Sequence, residues 1–557
     1  TMAACVGGHL PVVEALLDAG ADVEERDGDQ VTPLMNAAEN GSLPLIEVLL
    51  GHGADAGAMS DSGFTPLIVA AAGGHLDVCK LFVEREKVDV NAMHESGVSA
   101  LMYAAAGGHA EVVGYLVARG ADVNAVHVQG GSALMEAATA GGLDVMKVLV
   151  EAGADYHIKD NDAVTPLMSA ASQGHLNVTE YLVGEKGVGP DARANSGGTA
   201  LMFAAGGGHL QVCKYLLEKG VDVNAAAIAT PEYLNQINEA IAAGNTDVEP
   251  HTNGVTSLMV AALGGHSEVV KLLLEHGADP TMVDENGGTA LENALKVKDI
   301  EAAQALVEAG ASPDIRYEDD EGKKHNPLLD ALHDKNEGFA TALVQKGAPT
   351  GQKDRRGRTA LVLAAEAGLA STVAALLARE DLAPEDLDAE TKEGETALLR
   401  AAHQGHAEVV SLLVHHPGAK LHKRDKDGSN ALMIAALRGH LGVVKVLLGK
   451  GFQVNRQNKQ GHTALMFANH GRSQARALLS SYGDYLEAGR NSTLAIQELY
   501  ENHDDIVNIL LRHGADPALQ DKEGHTAADF DFNSVPSTGG SVGAQTDGNT
   551  VLGADEL

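Results

Sequence analysis

The chain is 557 residues long, with 40 Lys and Arg against 77 Asp and Glu and a formal net charge of −37. That balance argues against nucleic-acid binding, which rewards cations along the phosphate backbone, and against docking on anionic membranes. Trp is absent and aromatics make up 3% of residues, so a large ring-packed centre is excluded, and no run is long and apolar enough to cross a bilayer.

In chain order, a single pattern recurs. It is a cap residue, a short Ala- and Leu-rich stretch, Gly, a longer Val- and Leu-rich stretch, and Gly-Ala-Asp-x-Asn. The cap slot falls at 32, 65, 99, 132, 165, 199, 256, 289, 326, 359, 396, 430, 463, 493 and 526, most steps being 33 or 34 residues. Such a period predicts stacked units that each touch only their neighbours. Residues Thr1 to His9 enter partway through a unit (compare Leu67 to His75), which leads to the expectation of a fragment or processed product.

The unit at 65 shows the logic. Thr65 caps, Pro66 suits the first helical position, and Leu67, Ala70 and Ala71 form the apolar stripe of a first helix, A. Gly73 and Gly74 stop it. A second helix, B, is predicted from about Leu76 to Glu84. In the unit at 256, Val269, Val270, Leu273 and Leu274 give helix B a stripe wide enough to touch both neighbouring units. Two helices this short are marginal alone and become stable by stacking.

The step from 199 to 256 leaves room for an insert over 226–252. Thr230-Pro231-Glu232 followed by Tyr233, Leu234, Ile237, Ala240 and Ile241 predicts a capped amphipathic helix there. It is read either as decoration packed on the array or as a partner-docking helix. A longer hairpin holds Glu318, Asp319, Asp320 and Glu321, and another excess surrounds Pro384. The hairpin Lys353, Asp354, Arg355, Arg356, Gly357, Arg358 is basic within an acidic chain, and is read either as a solvated tip or as an anchor for acidic motifs. Thr493 is expected to open a degenerate repeat over 493–517 whose second helix, Ile506 to His513, is faithful. A partial repeat follows at 526–530. The stretch 531–557 has no Lys or Arg and is expected to be a disordered polar tail.

No nucleophile elbow, phosphate-binding loop or zinc-protease helix is present. His75, His109, His175, His209, His266, His406 and His440 share one slot at the start of helix B, so a capping or inter-repeat hydrogen bond is expected of them rather than metal binding. His415, His416 and His422 are the local His cluster, with a spacing that matches no tight metal site. Cys5, Cys79 and Cys213 lie at least two units apart, too far for a disulfide, and Cys79 and Cys213 are expected to be buried packing residues.

These motifs closely resemble the ankyrin repeat, from the N-terminus to about Phe530. Met or Ile stands where the family pattern often has His (Met35, Ile68, Met102, Met168, Met202, Met259), a swap expected to keep the fold and alter a hydrogen bond at the helix start. The resemblance implies an all-α ankyrin-repeat solenoid of helix-turn-helix pairs with hairpin loops in a curved superhelix. Repeats are expected over 1–225, the first truncated, and over 253–530. It further implies a non-catalytic scaffold that binds protein partners through hairpin tips and the concave A-helix face, the acidity favouring basic surfaces. No cofactor, metal, nucleic acid or membrane insertion is expected, and the chain is expected to be a monomer.

The tip positions are Asp61, Ser62, Glu95, Ser96, Asn195, Ser196, Glu285, Asn286, Arg355, Arg356, Lys426 and Asp427. Asn91, Asn124 and Asn224, in Asp-Val-Asn-Ala, look like sites that asparaginyl hydroxylases modify, against the plainer reading that Asn builds the turn. The alternative function is a regulatory or targeting arm of a larger enzyme, channel or ubiquitin ligase whose working domain lies upstream. Cytoplasmic or nuclear location is expected from the resemblance and the unpaired cysteines. The endoplasmic-reticulum lumen is the alternative, from the terminal Ala554-Asp555-Glu556-Leu557 and the sequons at Asn40, Asn177 and Asn491.

Overall fold

The computed structural model describes residues 1–243, 252–318, 323–382, 384–482 and 490–531. The expectations on 319–322, on the end of the 226–252 insert and on the tail with its terminal tetrapeptide fall outside those residues. The chain divides into two units, Thr1–Ala311 and Ser312–Leu557.

In the first unit, A helices such as Pro33–Glu39, Pro66–Ala72, Ala100–Ala106 and Ala133–Ala140 pack in a row, each against the next. B helices such as Leu43–Gly51, Ala110–Ala118 and Leu143–Glu151 back them. The core is the layer between: Leu101, Met102, Val112, Val113 and Leu116 are almost fully buried. Each such Leu or Val contributes about 1.5–3 kcal/mol relative to exposure.

The A helices start where the cap residues place them. Thr65 Oγ1 accepts a hydrogen bond from the Ile68 amide at 3.2 Å, and Thr32, Ser99, Ser132, Thr165, Thr199 and Thr256 do the same. In the second unit Asn326 and Asn430 play this part with a side-chain oxygen. Met35, Ile68, Met102, Met168, Met202 and Met259 are buried core residues whose amides serve these caps. Thr359 departs from the rule: its hydroxyl is buried and unpartnered.

The shared histidines bind the stack together. His75 Nε2 meets the Glu39 carbonyl at 2.8 Å, His109 that of Ala72 at 2.9 Å, and His266 that of Gly206 at 3.0 Å. They cap no helix by side chain, so of the two expected roles the inter-repeat bond is the one observed. The ring needs space. Gly74 has φ +74°, and a Cβ there would sit 2.5 Å from His109 Nδ1.

Two of the three 34-residue steps have a local cause in helix B. In the units at 65 and 165 the extra residue widens helix B into a π turn, at Leu81–Arg85 and Tyr181–Glu185. Lys87 and Gly187 then take the left-handed position (φ 59° and 68°) that Gly120 holds in a 33-residue unit.

The insert contains the expected helix, Pro231–Ala242, capped by Thr230 and with no residue fully buried. Stacking closes beneath it: Asn224 reaches across to Gly277 and Asp279, and Ala226 pairs with Thr256.

The second unit opens with a short antiparallel pair, Tyr317–Glu318 with Lys324–His325. Helix pairs follow from Pro327–His333 with Glu337–Gln345 to Ala431–Arg438 with Leu441–Gly449. A four-residue helix, Pro384–Leu387, takes up the excess before 396. Thr493 opens no separate first helix. It lies inside one helix, Arg490–Arg512, which pairs with a long helix Ala464–Tyr482. The repeat opened by Thr463 is therefore completed by His503, whose Nε2 meets the Leu437 carbonyl at 3.1 Å as the other slot histidines do. The expected faithful second half is present as the end of that helix. A final 3-10 turn, Ala527–Phe530, follows the cap Thr526.

Candidate protein-docking surface

Between one B helix and the next A helix the chain makes a finger-like hairpin. The fingers are stitched at their tips by backbone bonds: Asp61 N–H to Asp29 O, Val128 N–H to Ser96 O, Asn195 N–H to Asp162 O, and Lys459 N–H to Asp427 O. Within most fingers a side chain at the first turn position accepts the amide two residues on. Asp160 Oδ1 takes the Asp162 amide at 2.9 Å and Asp284 Oδ1 takes that of Asn286 at 2.9 Å. This is an Asx turn, which fixes the tip locally.

The twelve tip residues named from the sequence all sit on these turns. Asp61, Ser62, Glu95, Glu285, Asn286, Arg355, Arg356, Lys426 and Asp427 are exposed, and Ser96, Asn195 and Ser196 are half-buried. Eight lie in the first unit and four in the second. Some are engaged: Glu285 accepts from the Asn253 backbone and amide, Asn195 donates to the Asn161 carbonyl, and Asn286 donates to Thr252 Oγ1. The basic finger is less basic than it reads. Arg358 pairs with Asp354 and Glu366, each at 2.8 Å and half-buried, leaving Lys353, Arg355 and Arg356 exposed at the tip.

Asn91, Asn124 and Asn224 are structural bridges. Asn124 Nδ2 donates to the Gly153 carbonyl at 3.2 Å and its Oδ1 accepts the Asp155 amide at 2.9 Å. Asn91 and Asn224 repeat this on Gly120 with Asp122 and on Gly277 with Asp279. Of the sequons, Asn40 has its Nδ2 on the Cys5 and Val6 carbonyls at 3.0 and 3.1 Å, so a sugar there would displace a contact between repeats.

The fingers at 94–98 and 127–131, with the A helix Ala100–Ala106, frame a groove of about 320 Å³. Val98, Met102, Tyr103, Ala106 and Val128 supply apolar lining, and Ser96, His127, Gln129 and Glu136 the polar part. Val128 is 67% exposed. Phe64 packs edge-on against His94 with centroids 4.7 Å apart, and against Tyr103 at 5.4 Å. Burial, with the Glu136 carboxylate, pushes the Tyr103 hydroxyl pKa up, so it stays protonated. A second depression, about 580 Å³, lies between the turns at 451–456 and His513–Gly514, with Leu448 and Phe452 in its wall.

The A-helix row of the second unit differs in kind. Arg400 Nε lies 2.9 Å from Glu395, and Arg438 Nη2 meets His403 Nε2 at 2.7 Å. Burial, with Arg438 and Arg400 nearby, holds His403 down to about 4, so it accepts as the neutral ring. Neither this charged row nor the apolar groove was singled out from sequence. The signal available was the residue four places after each cap: Tyr103 and Glu136 in one unit, Arg400 in the other.

Among the described residues no group of three or more His, Cys, Asp or Glu side chains is placed to hold a metal ion. His415 Nδ1 is engaged by the Ser411 carbonyl and His416 Nδ1 accepts the Gly418 amide. Cys5, Cys79 and Cys213 are buried free thiols, and burial pushes Cys79 and Cys213 up to about 12. No helix among the described residues is long and apolar enough to cross a membrane.

Stacked helix pairs joined by tip-stitched fingers define a repeat protein of the interaction class. The family model for ankyrin repeats in groups of three matches residues 1–94, 34–127, 86–160, 134–227, 226–317, 328–425 and 417–489, and the single-repeat model matches 493–522. The chain belongs to the ankyrin repeat family. It is similar to the ankyrin repeat and KH domain-containing protein mask-1 of Caenorhabditis elegans, 32% identical over 163 residues, 29% of this chain and 6% of that protein. It is 32% identical over 157 residues to an L-asparaginase of Dirofilaria immitis, 28% of this chain and 25% of that protein. The chain thus covers a quarter or less of either relative. The human ASB11 ankyrin repeat domain is a solved structure with 28% identity and a TM-score of 0.37, the match covering 45% of this chain and 100% of that one.

Proposed function

We propose that the chain is a non-catalytic scaffold that holds an extended segment of a partner protein in the groove between the fingers at 94–98 and 127–131. The partner chemistry that suits it is an apolar side chain beside Lys or Arg. Val128, with the half-buried Val98 and Tyr103, offers an apolar seat above the buried Met102, and the Glu136 carboxylate stands at its edge in a chain of net charge −37. The observation that carries the reading is that groove: exposed apolar surface, on a rigid frame, beside a carboxylate. Electrostatic complementarity of this kind favours fast encounter with basic segments. Cytoplasmic or nuclear residence and a monomeric state are part of the proposal, as is hydroxylation of Asn91, Asn124 and Asn224.

Selection of a random peptide library on the full chain tests it. Enriched peptides should carry an apolar residue next to a base. Tyr103→Ala and Glu136→Gln should each weaken capture about tenfold with the far-UV spectrum unchanged. Capture indifferent to both substitutions sinks the groove. The regulatory-arm reading remains an elaboration of the same scaffold, since a docking groove serves a larger protein equally well.

A further inference from the structure

The turn acceptor that fixes each finger is an oxygen in almost every repeat that has one. Asp27, Asp160, Asp284, Asp354, Asp425 and Asp521 use a carboxylate. Asn458 uses its amide oxygen and Thr391 its hydroxyl, while the Ser60 hydroxyl takes the Phe64 amide four residues on. Two adjacent fingers depart from this. His94 Nδ1 takes the Ser96 amide at 3.1 Å, and His127 Nδ1 takes the Gln129 amide at 3.1 Å. They are the two fingers that frame the groove.

A ring nitrogen accepts only when it carries no proton. With Nδ1 accepting, the neutral ring has its hydrogen on Nε2, and in His127 that atom lies 3.5 Å from Glu136 Oε1. The ring is held tightly there: a Cβ on Gly131 would sit 2.2 Å from His127 Nε2. His94 is held by the Phe64 ring, and its Nδ1 also meets Ser96 Oγ at 2.8 Å. A proton added to Nδ1 would point at a backbone N–H and end the turn bond. Histidine is the side chain that changes charge between pH 5 and 8, whereas a carboxylate acceptor keeps its lone pairs through that range.

We infer that the fingers carrying His94 and His127 form a pH-sensitive clasp on the groove, closed at neutral pH and loosened on mild acidification, while the carboxylate-held fingers stay closed. The titratable groups that share the groove with these fingers are Glu136 and Tyr103 on the A helices, Glu136 lying against His127, and Glu95 follows His94 directly in the chain. Glu136 attracts a protonated His127, but that attraction acts through Nε2 and restores no acceptor at Nδ1. A proton on Nδ1 and the turn bond exclude one another at the same atom, so the clasp follows from the geometry of that bond. The inference rests on the proposed groove only for its consequence, a partner released in acid. The clasp itself is a property of the chain alone.

Hydrogen exchange of the full chain at pH 7.5 and 5.5, read by mass spectrometry and corrected for intrinsic rates, tests it without any partner. Peptides spanning 94–98 and 127–131 should lose protection about tenfold on acidification relative to the Asp160 finger. His94→Asp with His127→Asp should abolish that difference, and His94→Asn with His127→Asn should do the same using the acceptor that Asn458 provides. The inference is overturned if the two fingers track the Asp160 finger in the native chain. It is equally overturned if both double variants keep the native pH profile. A failed peptide selection with an intact exchange difference would refute the groove's partner and leave the clasp standing.

Discussion

Replacing Gly74 with Ala isolates the contact that locks one repeat to the next. Gly74 has φ +74°, and the three atoms nearest an added Cβ all belong to the His109 ring, at 2.5–2.8 Å. The left-handed backbone costs an L-residue about 1–2 kcal/mol. Moving the ring also breaks the 2.9 Å bond from His109 Nε2 to the Ala72 carbonyl, a further loss of about 1–1.5 kcal/mol. Gly120 is the control: its φ is +90° and nothing lies within 4 Å of its absent Cβ, so Gly120→Ala carries the backbone term alone. The difference corresponds to about tenfold in protection against exchange. It should appear in the helices Ala100–Ala106 and Ala110–Ala118, because repeat arrays open locally. Adding His109→Ala to Gly74→Ala should cost less than the separate effects imply, a coupling of about 1 kcal/mol. Strict additivity, or equal losses at Gly74 and Gly120, would refute the reasoning.

Other outcomes follow from the same geometry. Cys79 and Cys213 should resist iodoacetamide at pH 8 in the folded chain and react on unfolding, as intact mass will record; rapid native labelling would contradict their burial. Asn124→Ala removes both bridges to the next repeat and should destabilise that junction by about 1–3 kcal/mol, measured as exchange around Gly153–Asp155. If Asn91, Asn124 and Asn224 are hydroxylated, protein from its native source will show added oxygen mass at those sites. Asp354 is pushed up by burial, but bonds from the Arg358 backbone and guanidinium outweigh that and hold it below the usual range. Its contribution is therefore complete above the ordinary Asp value near 4 and is lost as pH falls below it. Asp354→Asn should flatten the acid limb of urea stability around that finger; an unchanged limb would place the linkage elsewhere.

The cap slots, the helix pairs and the insert helix were readable because Thr, Pro and Gly impose local conformations that stacking does not override. The histidine slot was readable as a repeating position, and geometry then chose the inter-repeat bond over capping. The repeat at 493–517 is legible in the family match that starts there, but Thr493 is followed by no Gly such as closes most A helices, and one helix, Arg490–Arg512, runs through it. His503 was the better marker, since it carries the slot's bond to the preceding repeat. Arg358 was legible as a charge and illegible as a partner, because Glu366 meets it from the following helix. The groove depends on side chains from two fingers and two helices, which periodicity aligns but does not bring into contact.

The π turns at Leu81–Arg85 and Tyr181–Glu185 show how this architecture tolerates drift in length. A codon gained within a B helix is absorbed inside one turn, and the register of every later repeat is preserved. In a protein with one shared interior, the same change would be felt by every layer packed on it. Here it stays a private matter of a single module, leaving selection free to test each module's size almost independently.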